Sequence, residues 1–482
     1  MPLPRFPLQR PRAAHTLSRL PSFPCKTLVL SLGLALLCSG CVFQPGRRDT
    51  PVSLQLAIGT GQAGDGVAKA NLRALATQVA NDYMRNHPHV LLNLRFLQET
   101  ELVESMRSRA KLGAGPDLLI SRVTPAEVLE REGYLRPVDI SPEQLDPLRI
   151  LYLSKFRDGN TYDALPFLLQ PFVACFDQRR VGKVPSTINE LTNQASRGMR
   201  VGLPLQVFDL LWSASDFDAD QILLNLFRTR VETKALWKGL SPSEQQQLES
   251  WLAWLYQANV EPNVQFVETA DELVERMEKG QLDWITCNSI AIPRLKRKFG
   301  DNLGVSELPG ANDGRPARPM ARIQLLTFGR DSTPDQRRAA TEFALFVLND
   351  FSQTSLVEKA LGSMPVNQNV VLPVKESPDL MAMESSLKHS KVPTFREGVG
   401  FRRGKTLRGG GQDPLIQLMK QAVYGEKSPK EVTRGIEELA RELFLSDLGK
   451  LWPTRLCTPK SLSTVQSEPF FLLCPSIESK LA

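Results

Sequence analysis

Val52-Ser-Leu-Gln-Leu-Ala-Ile58 leads into Gly59-Thr-Gly-Gln-Ala-Gly-Asp-Gly66, so Gly59-x-Gly61-x-x-Gly64 has the spacing of a dinucleotide-binding loop between a strand and a helix. That chemistry needs glycines that let a pyrophosphate approach a helix N-terminus, and an acidic residue about 20 positions on to hold the ribose. Glu99, the first acid after the next strand, follows Gly64 by 35 residues. The pattern therefore reads as a loop whose backbone amides face a ligand at a helix start, and no cofactor is implied. Other catalytic signatures are missing: there is no Gly-x-Ser-x-Gly, no HExxH and no Walker loop. Asp216, Asp218 and Asp220 alternate without the glycine and terminal glutamate of a calcium loop and read as a solvated helix entry. His87-Pro88-His89 reads as a turn between a helix and a strand, since no cysteine or carboxylate stands at ligand spacing. The basic stretch Arg402-Arg403-Gly404-Lys405 with Gly409 to Gly411 reads as a surface loop.

The elements around these residues alternate. After the first strand a helical pattern runs from Val67 to Asn86, with Leu72, Leu75, Ala76, Val79 and Tyr83 on one face. Val90 to Phe96 is a second strand, Glu101 to Leu112 a second helix, and Gly115-Pro-Asp117 turns into Leu118-Leu-Ile120, apolar throughout as buried parallel strands are. This β-α-β-α-β order predicts an α/β domain with a parallel sheet. Tyr162 to Phe176 is extended, Ser186 or Thr187 caps a helix, and Arg200 to Pro204 opens a second lobe. Phe208 to Phe227, Pro242 to Asn259 and Asp271 to Lys279 are helical, and Asp283 to Cys287 is another buried strand. Ala291 to Phe299 and Gln336 to Asn349 are helical, and Arg322 to Phe328 is an extended run that returns to the first lobe. Trp251 and Trp254 lie three apart on one helix, a spacing that suits packing.

The N-terminus speaks to location. Five basic residues and no acidic ones precede or flank the apolar run Thr27 to Leu37, which closes on Cys38-Ser-Gly-Cys41. This is the layout of a signal peptide, and the run is shorter than the roughly 20 residues a membrane-spanning helix needs. Ser39-Gly40-Cys41 resembles a bacterial lipobox, which implies cleavage before Cys41 and lipidation of that residue; ordinary secretion is the alternative. Without the leader the net charge of +7 falls to about +2, so nothing mandates nucleic acid. Of the cysteines, Cys175 lies in an apolar run and is expected to pack as a small hydrophobe. Cys457 and Cys474 are permitted a disulfide by an oxidising compartment.

In order along the chain, the lipobox, the first strand with its glycine loop, Gly115-Pro-Asp-Leu-Leu-Ile120, Leu165-Pro-Phe167, Pro185-Ser-Thr-Ile-Asn-Glu-Leu191 and Gly280-Gln-Leu-Asp-Trp-Ile-Thr286 resemble extracellular solute-binding proteins of ABC importers, in particular the sugar-binding family that includes maltose-binding protein. The resemblance covers about residues 52 to 372 and implies an α/β, two-lobed periplasmic-binding-protein fold with a hinge and an interlobe cleft. It implies a signal peptide over 1–40, a lipid-anchored tether over 41–51, a first lobe over 52–170, a second mainly over 171–320, a return to the first lobe with C-terminal helices over 321–453, and a flexible extension over 454–482. The cleft lining it implies is Thr60, Gly61, Gln62 and Asp65 after the first strand, then Ser121, Arg122 and the hinge residue Gln170. Gln206, Phe208 and Asp209 follow the strand opening the second lobe, Asn288 and Ser289 the strand of Trp284, and Met364 the late loop. Asp117 is expected to orient a turn. Arg122 and Arg322 are candidates to clamp a carboxylate or phosphate.

The resemblance thus implies a lipid-anchored receptor on the periplasmic face of the cell membrane. It would carry a sugar or sugar derivative to the transmembrane subunits of an ABC permease, with no cofactor and no nucleic-acid partner. An exported carbohydrate-active enzyme and a non-transport lipoprotein scaffold with the same fold are the alternatives.

Overall fold

A computed structural model describes residues 51–60, 66–227, 239–359, 362–392 and 413–451. Two sheets organise the chain. The six-stranded sheet has the order β13-β6-β12-β3-β1-β2, from β1 (Val52–Thr60), β2 (Val90–Gln98), β3 (Leu118–Arg122), β6 (Leu165–Gln170), β12 (Arg322–Phe328) and β13 (Met364–Pro365). Its β2-β1-β3 half is parallel, joined by the helices Gly66–Asn86 and Glu99–Ala110, and β12 runs antiparallel between β3 and β6. The five-stranded sheet has the order β11-β7-β10-β8-β9, from β7 (Phe172–Asp177), β8 (Val201–Pro204), β9 (Val264–Val267), β10 (Trp284–Asn288) and β11 (Leu303–Ser306). A two-residue hairpin, β4 (Arg157–Asp158) with β5 (Thr161–Tyr162), completes the strands.

The single extended run expected over Tyr162 to Phe176 is divided: Tyr162 ends β5, and the stretch from Leu165 onward is two strands. Pro171 lacks an N–H, so it cannot continue a ladder. On its N-terminal side β6 pairs within the first sheet, and on its C-terminal side β7 pairs within the second. The chain crosses back between Ser306 and Arg322, where β12 rejoins the first sheet. These crossings make the hinge between two lobes.

Strand alternation distributes the core. Val173 and Cys175 point to a cluster that holds Leu273, Met277 and Leu295 and continues into the first lobe. Phe172, Ala174 and Phe176 point to the opposite face, where Trp212, Trp251, Trp254 and Trp284 are packed. Trp251 and Trp254 are thus packing residues, and the structure places them in the interior. The helices Pro414–Val423 and Pro429–Leu451 pack on the helix Pro242–Val260 of this second lobe. Gly202 in β8 is required by close approach: a Cβ there would meet Leu282 and Leu273 side-chain atoms at 2.6 and 2.7 Å.

Three local expectations change. Cys175 is bonded to Cys287, with Cα atoms 5.7 Å apart, across the β7–β10 pair. It is a covalent cross-link inside the core and not a free small hydrophobe; its partner is 112 residues away, beyond the reach of local pattern. The helix expected over Phe208 to Phe227 is broken into Val207–Ala214 and Ala219–Phe227, with Asp218 at φ 54° between them. Asp220 is not solvated: its side chain is fully buried, paired with Arg318 at 2.7 Å and Lys391 at 2.9 Å. Asp218 accepts from Arg315 and Arg318, and Asp216 accepts from Asn312, so the three aspartates fasten the 312–318 segment to the second lobe. Cys41, Cys457, Cys474 and the basic stretch from Arg402 to Gly411 lie outside the described residues.

Candidate functional site

The parallel strands β1 and β3 end beside helix starts, and the hinge strands β6 and β12 pass between the lobes. A cleft of about 920 Å³ opens there. Its floor is built from Thr60 at the end of β1, Arg122 at the end of β3, Gln170 at the end of β6, and Arg322 and Gln324 on β12. Arg322 and Gln324 share a face because strand side chains repeat every second residue, and Arg322 stands opposite Gln170 in the ladder. The second lobe adds Gln206 and Asp209 from the start of helix Val207–Ala214, Thr269 and Asp271 from the start of helix Ala270–Glu278, and a basic wall, Arg294, Lys296 and Arg297, from helix Ile292–Phe299. A third side is aliphatic, with Val357, Leu372, Leu380 and Met383.

Ion pairs fix the charged floor. Arg322 Nη2 donates to both oxygens of Asp209 at 2.8 Å, and its guanidinium lies 5.1 Å from the Phe172 ring centroid. The Asp209 side chain is 1% exposed and that of Arg322 16%, so the pair is well shielded from solvent. Arg322 Nε and Nη1 make no hydrogen bond among the described residues and face the cleft with donors to spare. Arg122 is paired to Glu99, also on the lining. The amide side chains of Gln170, Gln206 and Gln324 likewise carry no hydrogen bond among the described residues, so each offers a donor and an acceptor. Burial holds the Asp271 carboxyl above the usual aspartate range, although Arg322 and Arg294 pull it down.

Of the residues expected to line a site, the structure brings together Thr60, Arg122, Gln170, Gln206, Asp209 and Arg322. Thr60 spends its hydroxyl on the Leu97 carbonyl at 3.1 Å. Five others lie off the lining. Ser121 is buried with its hydroxyl on the Arg122 carbonyl, Phe208 packs against the second-lobe core, and Met364 is buried in β13 beside β6. Asn288 donates to the Gln170 carbonyl and accepts from the Ile290 N–H, and Ser289 donates to the Gly362 carbonyl at 2.5 Å. Gly61, Gln62 and Asp65 lie outside the described residues. Asp117 orients its turn, as expected, accepting from the Gln55 N–H and the Ser332 hydroxyl at 2.7 Å each.

Sequence reasoning missed Glu99, Gln324, Asp271 and the Arg294–Arg297 wall. Gln324 was within reach, two residues from Arg322 on a strand. Glu99 and Asp271 come from helix starts and the Arg294–Arg297 wall from the middle and last turn of helix Ile292–Phe299, elements whose orientation depends on the tertiary fold.

No aromatic side chain is among the described residues that line the cleft, and no group of three or more histidine, cysteine, aspartate or glutamate side chains suited to a metal occurs among the described residues. The described lining thus offers planar amide and guanidinium side chains that can hold a polar solute.

A model of the bacterial extracellular solute-binding protein family matches residues 78–383. No curated protein matches the chain. Solved structures with the same fold include a cyclo/maltodextrin-binding protein complexed with maltotetraose, at 16% identity over 81% of this chain and 97% of that one, with a TM-score of 0.61. The GacH receptor of Streptomyces glaucescens, determined unliganded and with acarbose, is 17% identical over 81% and 99%, TM-score 0.63. The maltose-binding MalE of Listeria monocytogenes, in complex with maltose, is 14% identical over 84% and 99%, TM-score 0.61.

Proposed function

Because the chain belongs to the bacterial extracellular solute-binding protein family, we propose that it is a lipid-anchored receptor that captures a small solute, a sugar or sugar derivative, by closing its two lobes and delivers it to the transmembrane subunits of an ABC permease. The observation that carries this reading is the cleft lining: Gln170, Gln324 and the unbonded edge of Arg322 on the floor and Gln206 on the second lobe gather donors and acceptors unspent among the described residues, with groups supplied by both lobes. A solute that hydrogen-bonds to both lobes favours the closed arrangement by its differential affinity, and hinge closure presents the permease with a shape distinct from the empty protein.

Location outside the cytoplasm follows from the family. The buried Cys175–Cys287 disulfide fits an oxidising compartment. The leader with Ser39-Gly40-Cys41 supports cleavage and lipidation at Cys41, and no helix among the described residues is long and apolar enough to cross a membrane. The solved proteins of this fold named above are complexed with maltotetraose, acarbose or maltose, which favours a sugar-like ligand here.

A thermal-shift screen against mono- and oligosaccharides, amino sugars, sugar phosphates, polyols and small acids tests the reading. A ligand at 100 times its Kd adds about 2.7 kcal/mol. The expected result is a shift with one solute class, the solute being recovered unchanged. Consumption of the solute would instead identify an enzyme, and silence across the panel would contradict the receptor reading.

A further inference from the structure

The cleft lining divides into two chemistries. Its floor is polar, with Gln170, Gln324 and Arg322, and Gln206 joins them from the second lobe. Its third side is carbon. The first core cluster comes to the surface there: Leu75, Ile292, Val357 and Met383 belong to that cluster, Leu372 and Leu380 pack on it, and all of them line the cleft. They are contributed by the helices Gly66–Asn86, Ile292–Phe299, Asp350–Lys359 and Pro378–His389 and by the segment before the last of these. Two further aliphatic residues of the lining stand in water, Val371 at 88% exposure and Ile290 at 41%. Apolar side chains scattered singly over a surface need no explanation, but a continuous run of them along one side of a solute cleft is a contact surface.

The charges next to this wall are settled within the protein. Lys296 is held by Asp379, and Arg294 by Glu278 at 2.9 Å, so whatever lies along the wall has no need of a charge. A sugar gains most from carbon surface by laying a ring face on an aromatic side chain, and no such side chain is among the described lining residues. Hydroxyl groups set against Val357, Leu380 and Met383 would lose their water without a hydrogen-bond partner, which is costly. Aliphatic carbon set there loses only unfavourable contact with water. The cleft volume of about 920 Å³ is near the upper end of small-molecule sites, room for a sugar with a substituent beside it.

We propose that the solute is amphiphilic: a sugar derivative whose hydroxylated body is held by Gln170, Gln206, Gln324 and Arg322, and whose uncharged aliphatic substituent lies along the wall of Val357, Leu372, Leu380 and Met383, under Val371 and Ile290. This rests on the receptor reading above and names the class of sugar derivative.

Calorimetric titration of the purified protein with methyl, n-butyl and n-hexyl β-D-glucosides and the matching maltosides, all below their micellar concentrations, tests it. Hexanoate and trileucine supply aliphatic carbon without a sugar. The expected result is affinity rising about threefold per methylene in at least one series, so that the hexyl glycoside binds about a hundredfold or more tighter than the methyl one, with a heat-capacity change that grows more negative along the series. Val371→Ser, at a site too exposed to disturb folding, should lower the hexyl-to-methyl ratio about threefold, and adding Ile290→Ser should lower it further. Affinity independent of chain length, or a ratio unchanged in both variants, would overturn the inference and leave the receptor standing. Hexanoate or trileucine binding as tightly as the hexyl glycosides would overturn it by making aliphatic carbon alone the ligand. Heat from no glycoside would overturn it as well, and the wider thermal-shift panel then decides the receptor reading separately.

Discussion

Arg322 and Asp209 tie the hinge strand β12 to the first turn of a second-lobe helix, with one guanidinium nitrogen 2.8 Å from both carboxylate oxygens and Phe172 beneath the arginine. The pair orients the guanidinium and leaves two of its nitrogens for a solute. Arg322→Gln removes those donors and strands a buried carboxylate, which costs about 3 kcal/mol when the surviving partner stays desolvated. In the double variant Arg322→Gln/Asp209→Asn much of that stability returns, while solute affinity stays weakened. Urea denaturation read beside calorimetry separates the two effects. Equal stability loss in the single and double variants would show that the pair is not coupled.

The lobes also meet at Gly362. Its φ of +104° suits glycine, and a Cβ would stand 2.3 Å from the Ser289 carbonyl oxygen and 2.9 Å from the Ile290 Cα. Gly362→Ala must therefore push the late loop off the Asn288–Ile290 segment and break the Ser289 hydroxyl bond to the Gly362 carbonyl. The expected loss is about 1–3 kcal/mol, with faster amide hydrogen exchange at Ser289 and Ile290. Unchanged exchange there would contradict the contact.

The Cys175–Cys287 disulfide closes a long loop, the cysteines being 112 residues apart in sequence. Constraining the unfolded chain over that length stabilises by about 2–5 kcal/mol. Replacing both cysteines by alanine is expected to lower the denaturation midpoint accordingly, and strong reductant is expected to do the same only after the protein unfolds, since both residues are buried.

Tyr83 stacks on His87 and meets Phe343 edge-on, and its buried hydroxyl has no hydrogen-bond partner among the described residues. Burial, with help from Glu342, pushes its pKa up to about 12. Tyr83→Phe removes an unsatisfied polar atom while keeping the ring, so stability should be unchanged or higher by about 1 kcal/mol. A loss of that size, measured by urea denaturation, would reveal a partner for the hydroxyl.

Asp271 has its folded pKa raised. A carboxyl so shifted penalises the folded state above that pKa, and the penalty disappears as pH falls to the ordinary aspartate range, where folded and unfolded forms are both protonated. Asp271→Asn should therefore have a higher Tm than the parent at neutral pH, with the two converging on acidification. A difference that grows towards acid pH would reverse the sign.

Much of the first lobe was legible because its signals are local. Leu118 to Ile120 is apolar on both faces, Pro88 stops a helix, and Asp117 sits where a turn needs an acceptor. What escaped depends on distant partners. Pattern alone treats Tyr162 to Phe176 as one extended run, because alternation says nothing about which sheet a strand joins. Nor does it foresee Asp220 buried between Arg318 and Lys391, or Cys175 meeting Cys287. In the site, Gln170 was anticipated through the resemblance to the sugar-binding family, and Arg322 as a candidate to clamp a carboxylate or phosphate. Asn288 and Ser289 lie at the expected strand end, but their side chains are spent on the crossing chain at Gln170 and Gly362.

The most direct test is a calorimetric titration of the best solute from the screen into the wild-type protein and into Arg322→Gln. The account predicts one site per chain in the wild type, the solute recovered intact, and affinity at least tenfold weaker in the variant. Equal affinity in both proteins would move the binding site away from the hinge cleft and contradict the account.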